Sequence, residues 1–340
     1  MVRLKDIAEH VGVSVTTVSR VIKDDPSRNV NADIKKKVWL AVKELGYTPN
    51  EHARQLVNAT KVRVKRTKRI AWLASPGLAD DNPYFSKIFK GISETFAKEG
   101  YTLELLTHSD LKDEAVFHRI IREKEVEGVL LVDAVEEGIL QELKKLVPVV
   151  GVDFNYSDHS ISTVDYDREE AVYKGMQHLV EKGHCQIGFI GGEINGELKS
   201  EKRFRGYRKA LSEFGLKLNK DYVIDSGWCM NQAYTKTKSL LNRSEHDRPS
   251  GILCASDLLA IAGMRAAHEL GLKIPEDIAF VGIDNNEMAQ YVVPALTTIS
   301  IPQYEMGAVA AKTLLNKIKD ELQLELKTLL PSTLLIRQST

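Results

Sequence analysis

Leu4-Lys5-Asp6-Ile7-Ala8-Glu9-His10-Val11-Gly12-Val13-Ser14-Val15-Thr16-Thr17-Val18-Ser19-Arg20-Val21-Ile22 decides the fold of the N-terminal end. Leu4, Ile7, Ala8 and Val11 recur at i, i+3, i+4 and i+7 and stop at Gly12, the pattern of a short amphipathic helix with a glycine terminator. Ser14 offers a side-chain oxygen to cap a second helix, with Val18, Val21 and Ile22 on one face and Val15, Thr16, Ser19 and Arg20 on others. After the polar loop 24–29, Asn31 can cap a third helix with Ile34, Val38, Ala41, Val42 and Leu45 inward and Gly46 at its end. A generic three-helix module explains the apolar positions equally well. The outward face goes further, because small residues, hydroxyls and an Arg at the start of the second helix suit the DNA major groove.

Charge points the same way. The 340 residues sum to zero, yet residues 1–69 hold 16 Lys or Arg against 7 Asp or Glu, so the rest of the chain is acidic. A basic block on an acidic chain predicts a polyanion partner, with a solvated charged face as the alternative. The opening Met1-Val2-Arg3-Leu4-Lys5-Asp6 has no apolar signal core and no stretch is long and apolar enough to span a membrane, which predicts a cytoplasmic protein. Cys185, Cys229 and Cys254 are too few and too scattered for a disulfide framework or a zinc site, so reduced thiols are expected.

From residue 70 the chain alternates short apolar runs with amphipathic stretches. Ile70–Ala74, Leu103–Leu106, Val126–Val132 and Val147–Val152 read as one strand series; Ile187–Ile190, Tyr222–Ile224, Gly251–Cys254 and Ile278–Val281 read as a second. Helical spacing between them predicts βαβ units in two parallel-sheet lobes. Leu329–Ile336 reads as one further strand-like run near the end. In open α/β sheets ligands gather at the carboxyl ends of strands, where Asp153, Trp228, Asp257 and Asp284 fall. Each has an ordinary reading too, since an Asp there can cap the next helix and a Trp can be core.

Leu4-Lys5-Asp6-Ile7-Ala8, Gly12-Val13-Ser14 and Thr17-Val18-Ser19-Arg20-Val21 resemble the signature of the LacI/GalR repressor family, as do Leu45-Gly46-Tyr47-Thr48-Pro49-Asn50 and Ala53-Arg54-Gln55-Leu56. The resemblance extends over essentially the whole chain. It implies an α/β protein in three parts: a helix-turn-helix domain at 1–49, a hinge helix and basic linker at 50–69, and a doubly wound, periplasmic-binding-protein-like core at 70–340. The implied lobes are 70–164 with 293–325, and 165–292 with 326–340. By resemblance Val15, Thr16 and Arg20 read bases, Leu56 is a minor-groove wedge, and Leu4, Ser14, Thr17, Ser19, Asn29, Asn50, Ala53 and Arg54 complete the DNA contacts.

The same resemblance makes Arg203, in Arg203-Phe204-Arg205-Gly206-Tyr207, and Asp284 effector-binding, together with Asp153, Tyr166, Trp228, Asn82, Tyr84 and Ser256. Hydroxyl-pairing Asp and Arg groups beside an apolar platform predict a carbohydrate effector, a galactoside or related oligosaccharide; a purine or other non-sugar corepressor is the alternative. Ile301 departs from galactoside-binding relatives, which carry a polar residue after the Leu296-Thr297-Thr298 run. A nine-residue hinge is too short to be stable alone in water and is expected to order on DNA beside its partner copy. Lys61, Arg63, Lys65, Arg66, Lys68 and Arg69 add either phosphate attraction or a merely solvated linker.

Gly188-Phe189-Ile190-Gly191-Gly192 lacks the spacing of a phosphate loop, and no His pair has metal-ligand or catalytic spacing. No cofactor, metal or catalytic residue is therefore expected, and a sugar-metabolising enzyme, a transport binding protein and an architectural DNA protein are the rival classes. Two-fold operators ask for a two-fold protein, and Arg337-Gln338-Ser339-Thr340 adds no heptad tail, so a homodimer on a pseudo-palindromic operator is expected.

Overall fold

A computed structural model describes residues 2–23, 30–47, 67–75, 82–118, 120, 125–132, 135–153, 160–193 and 196–340. The head consists of α1 (Leu4–Val11), α2 (Val15–Lys23) and α3 (Ala32–Glu44). Gly12 ends α1 in the left-handed region at φ 75°, a conformation that costs a glycine little, and its N–H donates to the Ala8 carbonyl at 2.9 Å. The Ser14 hydroxyl accepts the Thr17 N–H at 3.1 Å, and the Asn31 side chain accepts the Asp33 N–H at 2.8 Å, so both expected caps form. Ile7, Val18 and Val38 are fully buried at the centre. Trp39, a position left out of the expected inner face, is buried as well: its ring tilts onto His118 of the core at 4.8 Å between centroids. The head thus rests against the first lobe.

Each lobe is a six-stranded sheet. The first contains β1 (Arg69–Leu73), β2 (Thr102–Leu106), β3 (Gly128–Leu131), β4 (Val149–Val152), β5 (Ser162–Tyr166) and β11 (Lys327–Leu330), in the order β11-β5-β4-β3-β1-β2, all parallel. The second contains β6 (Ile187–Gly191), β7 (Val223–Asp225), β8 (Gly251–Cys254), β9 (Ala279–Asp284), β10 (Thr297–Ser300) and β12 (Thr333–Leu335), in the order β12-β10-β9-β8-β6-β7, with β12 antiparallel to β10. The central strands are apolar throughout because helices cover both faces. Those helices are α4 (Pro83–Lys98), α5 (Glu137–Leu146), α6 (Arg168–Glu181), α7 (Lys202–Glu213), α8 (Met230–Leu241), α9 (Asp257–Glu269) and α10 (Gln303–Ile318). In the first lobe α4 and α10 touch backbone to backbone: a Cβ on Gly91 would overlap the Tyr304 carbonyl, and one on Gly307 would overlap that of Ile88.

The lobe boundaries differ from those expected. The chain crosses between β5 and α6, between β10 and α10, and between β11 and β12. Thus β10 keeps the chain in the second lobe past 293, and β11 lies in the first lobe beyond 325. The run Leu329–Ile336 is also two strands in different sheets, because Pro331 has no N–H to continue a ladder. Lys174 on α6 fixes this crossing by donating to the Ser332 carbonyl at 2.7 Å.

Candidate nucleic-acid interface and effector cleft

On the head, Ser14, Val15 and Thr16 are exposed, Val15 at 43%, while Thr17, Ser19 and Arg20 are half-buried. Val15 with Ser19 and Thr16 with Arg20 are i, i+4 pairs, so these four side chains share one side of α2 from its N-terminal end. Ser14 also holds Thr17 Oγ1 at 2.8 Å and acts as a cap. Leu4 is half-buried against the head core, which gives it a packing role. Asn29, Asn50, Ala53, Arg54 and Leu56 lie outside the described residues, as do Lys61, Arg63, Lys65 and Arg66.

Lys68 and Arg69, at the end of the basic linker, are bound to the core. Lys68 Nζ donates to the Glu99 carbonyl at 2.9 Å, its N–H donates to Glu127, and Arg69 pairs with Glu104 at 2.7 Å and Glu125 at 3.7 Å. These contacts attach both residues at the start of β1, with Lys68 exposed and the Arg69 side chain 43% exposed.

The cleft is built at the carboxyl ends of the strands in both lobes. From the first lobe come Tyr84 at the start of α4, Asp153 just after β4, and Tyr166 at the end of β5. From the second come Arg203 in the first turn of α7, Trp228 after β7, Ser256 before α9, and Asp284 at the end of β9. Tyr84 donates its hydroxyl to Asp153 Oδ1 at 2.6 Å. Arg203 Nε donates to Glu201 Oε1 at 2.8 Å, Nη1 donates to the Ala255 carbonyl at 3.0 Å, and the guanidinium lies 4.5 Å above the Trp228 ring. Trp228 has φ 61° and is 37% exposed, with its indole N–H on the Glu193 carbonyl at 3.1 Å. A Cβ on Gly192 would lie 2.6 Å from that indole, so only glycine lets the ring settle there.

Asn82 and Ser256 serve as helix caps, accepting the N–H groups of Tyr84 and Leu259. Asp257 takes a structural place as well: it is fully buried, accepting the Thr298 hydroxyl and the Asn286 N–H, both at 2.6 Å. Burial pushes its carboxyl up to about 7, opposed by those two hydrogen bonds. Burial and the nearby Asp257 charge also hold Asp284 well above the ordinary carboxylate range. Asp284 makes no ion pair with a described residue, and Tyr166, 1% exposed, has a hydroxyl with no hydrogen-bond partner among the described residues. Burial raises the Tyr166 hydroxyl, and the Asp284 charge adds to that rise.

Four residues that the sequence reading did not select complete the cleft wall. Arg168, at the start of α6, donates to Asp153 Oδ1 at 2.5 Å and to Asp165 at 3.2 and 3.3 Å, and lies 4.7 Å over the Tyr166 ring. Lys202 approaches Asp165 at 3.6 Å, and Glu201, fully buried, holds Arg203. Burial pushes Asp153 up, opposed by Arg168 and by the Tyr84 hydrogen bond. The alternation Asp165-Tyr166-Asp167-Arg168 was the available signal, but it runs from the end of β5 into α6, and Ser162-Thr163-Val164-Asp165-Tyr166 is too polar to read as a buried strand.

A reading head joined to a two-lobed, periplasmic-binding-protein-like core defines a ligand-responsive DNA-binding regulator. The profile of bacterial regulatory proteins of the lacI family matches residues 3–50, and that of a periplasmic binding protein-like domain matches 176–340. The HTH-type transcriptional repressor PurR of Aliivibrio salmonicida is 33% identical over 326 residues, 94% of this chain and 93% of that protein. Among solved structures, the transcriptional regulator CelR–cellobiose complex is similar at TM-score 0.71 and 26% identity, covering 100% of both chains. The lac repressor dimer bound to operator and the anti-inducer ONPF is similar at TM-score 0.67 and 25% identity, covering 99% of this chain and 98% of that one. The chain belongs to the lacI family and is a ligand-responsive DNA-binding repressor.

Proposed function

We propose that this repressor is controlled by a small polar ring compound held between the lobes, and that a purine corepressor is its first candidate. The observation that carries the cleft assignment is the buried Tyr166 hydroxyl, unpartnered among the described residues and within reach of the charge of Asp284 on the other lobe. A buried polar group left without a partner is costly, and a ligand that bonds both groups removes that cost only when the lobes are together. Trp228 supplies a flat apolar face, and Arg203, held by Glu201 and the Ala255 carbonyl, supplies an oriented donor beside it. Tyr84, Asp153, Asn82 and Ser256 frame the same space.

The relatives named PurR favour the purine class over the carbohydrate expected from the sequence. The likeness to the CelR–cellobiose complex supports the carbohydrate as second reading. Calorimetry with hypoxanthine, guanine, galactosides and cellobiose, followed by operator titration with any binder, separates the two. A purine is expected to tighten operator binding and a sugar to loosen it; a protein that binds none of them overturns both readings. The protein is proposed to act in the cytoplasm as a homodimer, without enzymatic activity, with Val15, Thr16 and Arg20 reading bases. Sedimentation showing a monomer at micromolar concentration overturns the dimer.

A further inference from the structure

We propose that the outer face of α7 is a docking groove for a partner protein, filled by a short acidic segment that carries an apolar side chain. Residues 199–220 hold eight Lys or Arg against two Glu, while the rest of 70–340 holds 23 against 38. Lys202 and Arg203 are turned to Asp165 and the cleft; the others form a basic patch on an otherwise acidic body, which draws and selects acidic partners.

The chain shapes this patch into a groove. Gly215 ends α7 in the left-handed region at φ 68°, and the Leu216 N–H donates to the Leu211 carbonyl at 2.8 Å, so the chain turns back beside its own helix. The resulting groove, of about 550 Å³, is lined by Arg205, Arg208 and Lys209 of α7 and by Leu216 and Leu218 of the returning chain. No carboxylate lines it among the described residues, and Leu218 is 38% exposed. Its base is rigid, because a Cβ on Gly206 would lie 3.0 Å from the Glu169 Cα and Phe214 stacks on Tyr173 of α6 at 5.2 Å between centroids. A preformed surface loses little freedom on binding.

Its cations are available. Arg205 and Lys209 share the carboxylate of Glu169 at 3.5 and 4.0 Å, and all three side chains are well exposed, so these pairs hold weakly. Arg208 is exposed and makes no ion pair with a described residue. From Arg205 to Ser212 the helix runs about 10 Å, the length of about three extended residues. Carboxylates on such a segment pair with the guanidiniums while an apolar side chain covers Leu216 and Leu218. A nucleic-acid backbone satisfies the cations and leaves the leucines bare, and α7 lies in the second lobe whereas the head rests against the first.

The test uses the full-length protein and a fluorescein-labelled peptide, Glu-Glu-Leu-Glu-Glu-Leu-Glu-Glu, followed by anisotropy. Saturable binding is expected, and none with Gln in place of every Glu. Arg208→Glu, or Lys209→Glu should the first variant fold poorly, is expected to weaken binding about tenfold, since reversal turns attraction into repulsion. Leu218→Ser is expected to weaken it about fivefold, because more than a third of that residue is left to bury. Lys145→Glu, an exposed reversal at the end of α5 in the first lobe, is expected to change nothing.

A protein that does not bind the peptide overturns the proposal, and so does binding that survives both α7 reversals, as it would on the basic head. Weakening by Arg208→Glu with none by Leu218→Ser leaves a bare charge patch and overturns the groove. The same variants test the rival occupants. If they weaken binding to a random-sequence duplex, the patch serves nucleic acid; if they lower the oligomeric state in sedimentation, it serves a second copy of this chain; either result overturns the proposal.

Discussion

Replacing Asp257 with Asn removes one buried negative charge and can keep both of its hydrogen bonds. The amide oxygen can accept the Asn286 N–H that Oδ2 now accepts at 2.6 Å, and the amide nitrogen can donate to Thr298 Oγ1, which now donates to Oδ1. The wild-type carboxyl stands at about 7 in the folded protein against an ordinary 3.8. A raised folded value means that the native state holds the proton more tightly than the unfolded chain. Its contribution to stability is full below about pH 4 and is lost as pH rises toward about 7. At about 1.4 kcal/mol per unit, the ionised carboxyl costs the fold on the order of 4 kcal/mol above that range, a cost the amide escapes. Urea unfolding of wild type and Asp257→Asn across about pH 4 to 8 reads this group together with Asp284, whose carboxyl its charge raises, while the distant titrations cancel in the difference. The variant is expected to match the wild type at the acid end and to gain several kcal/mol at the alkaline end. A difference independent of pH, or a variant less stable at about pH 8, refutes the reasoning.

Arg20→Ala is expected to cost about 1–3 kcal/mol of operator affinity per head, read by gel shift, with the melting of the core unchanged. Ile7→Ala empties the centre of a small core at a cost of about 2–5 kcal/mol, enough to unfold a domain of this size; loss of head resonances while the core spectrum persists is the expected signature. Gly192→Ala drives a methyl into the Trp228 indole and is expected to weaken effector binding without moving effector-free operator affinity, checked by calorimetry and anisotropy. Unchanged effector affinity removes Trp228 from the site.

The head was legible because its caps and apolar spacing are local: Ser14, Asn31 and Gly12 act on residues within one turn of themselves. The strands of the core were legible where burial on both faces makes them apolar, as in Val149–Val152, and illegible where a buried strand is rich in polar residues, as in β5. Lobe membership of β11 depends on its pairing with β5, more than a hundred residues away, and that of β10 on its ladders with β9 and β12, none of which a local pattern encodes. The cleft residues at strand ends were visible one at a time. Their division into the caps Asn82 and Ser256, the buried support Asp257 and the open groups Tyr166 and Asp284 needed distances, and Arg168 was hidden because its partners come from two other segments.

The central claim is that a ligand in the cleft sets the affinity of the head for DNA. Fluorescence anisotropy of a palindromic duplex, selected by the protein from random sequence, measures it most directly when titrated with and without each member of the purine and sugar panel. The account predicts that one compound moves the midpoint by about tenfold or more, and that Arg203→Ala removes the shift while leaving effector-free affinity intact. A midpoint that no compound moves, or a shift that persists in Arg203→Ala, contradicts it.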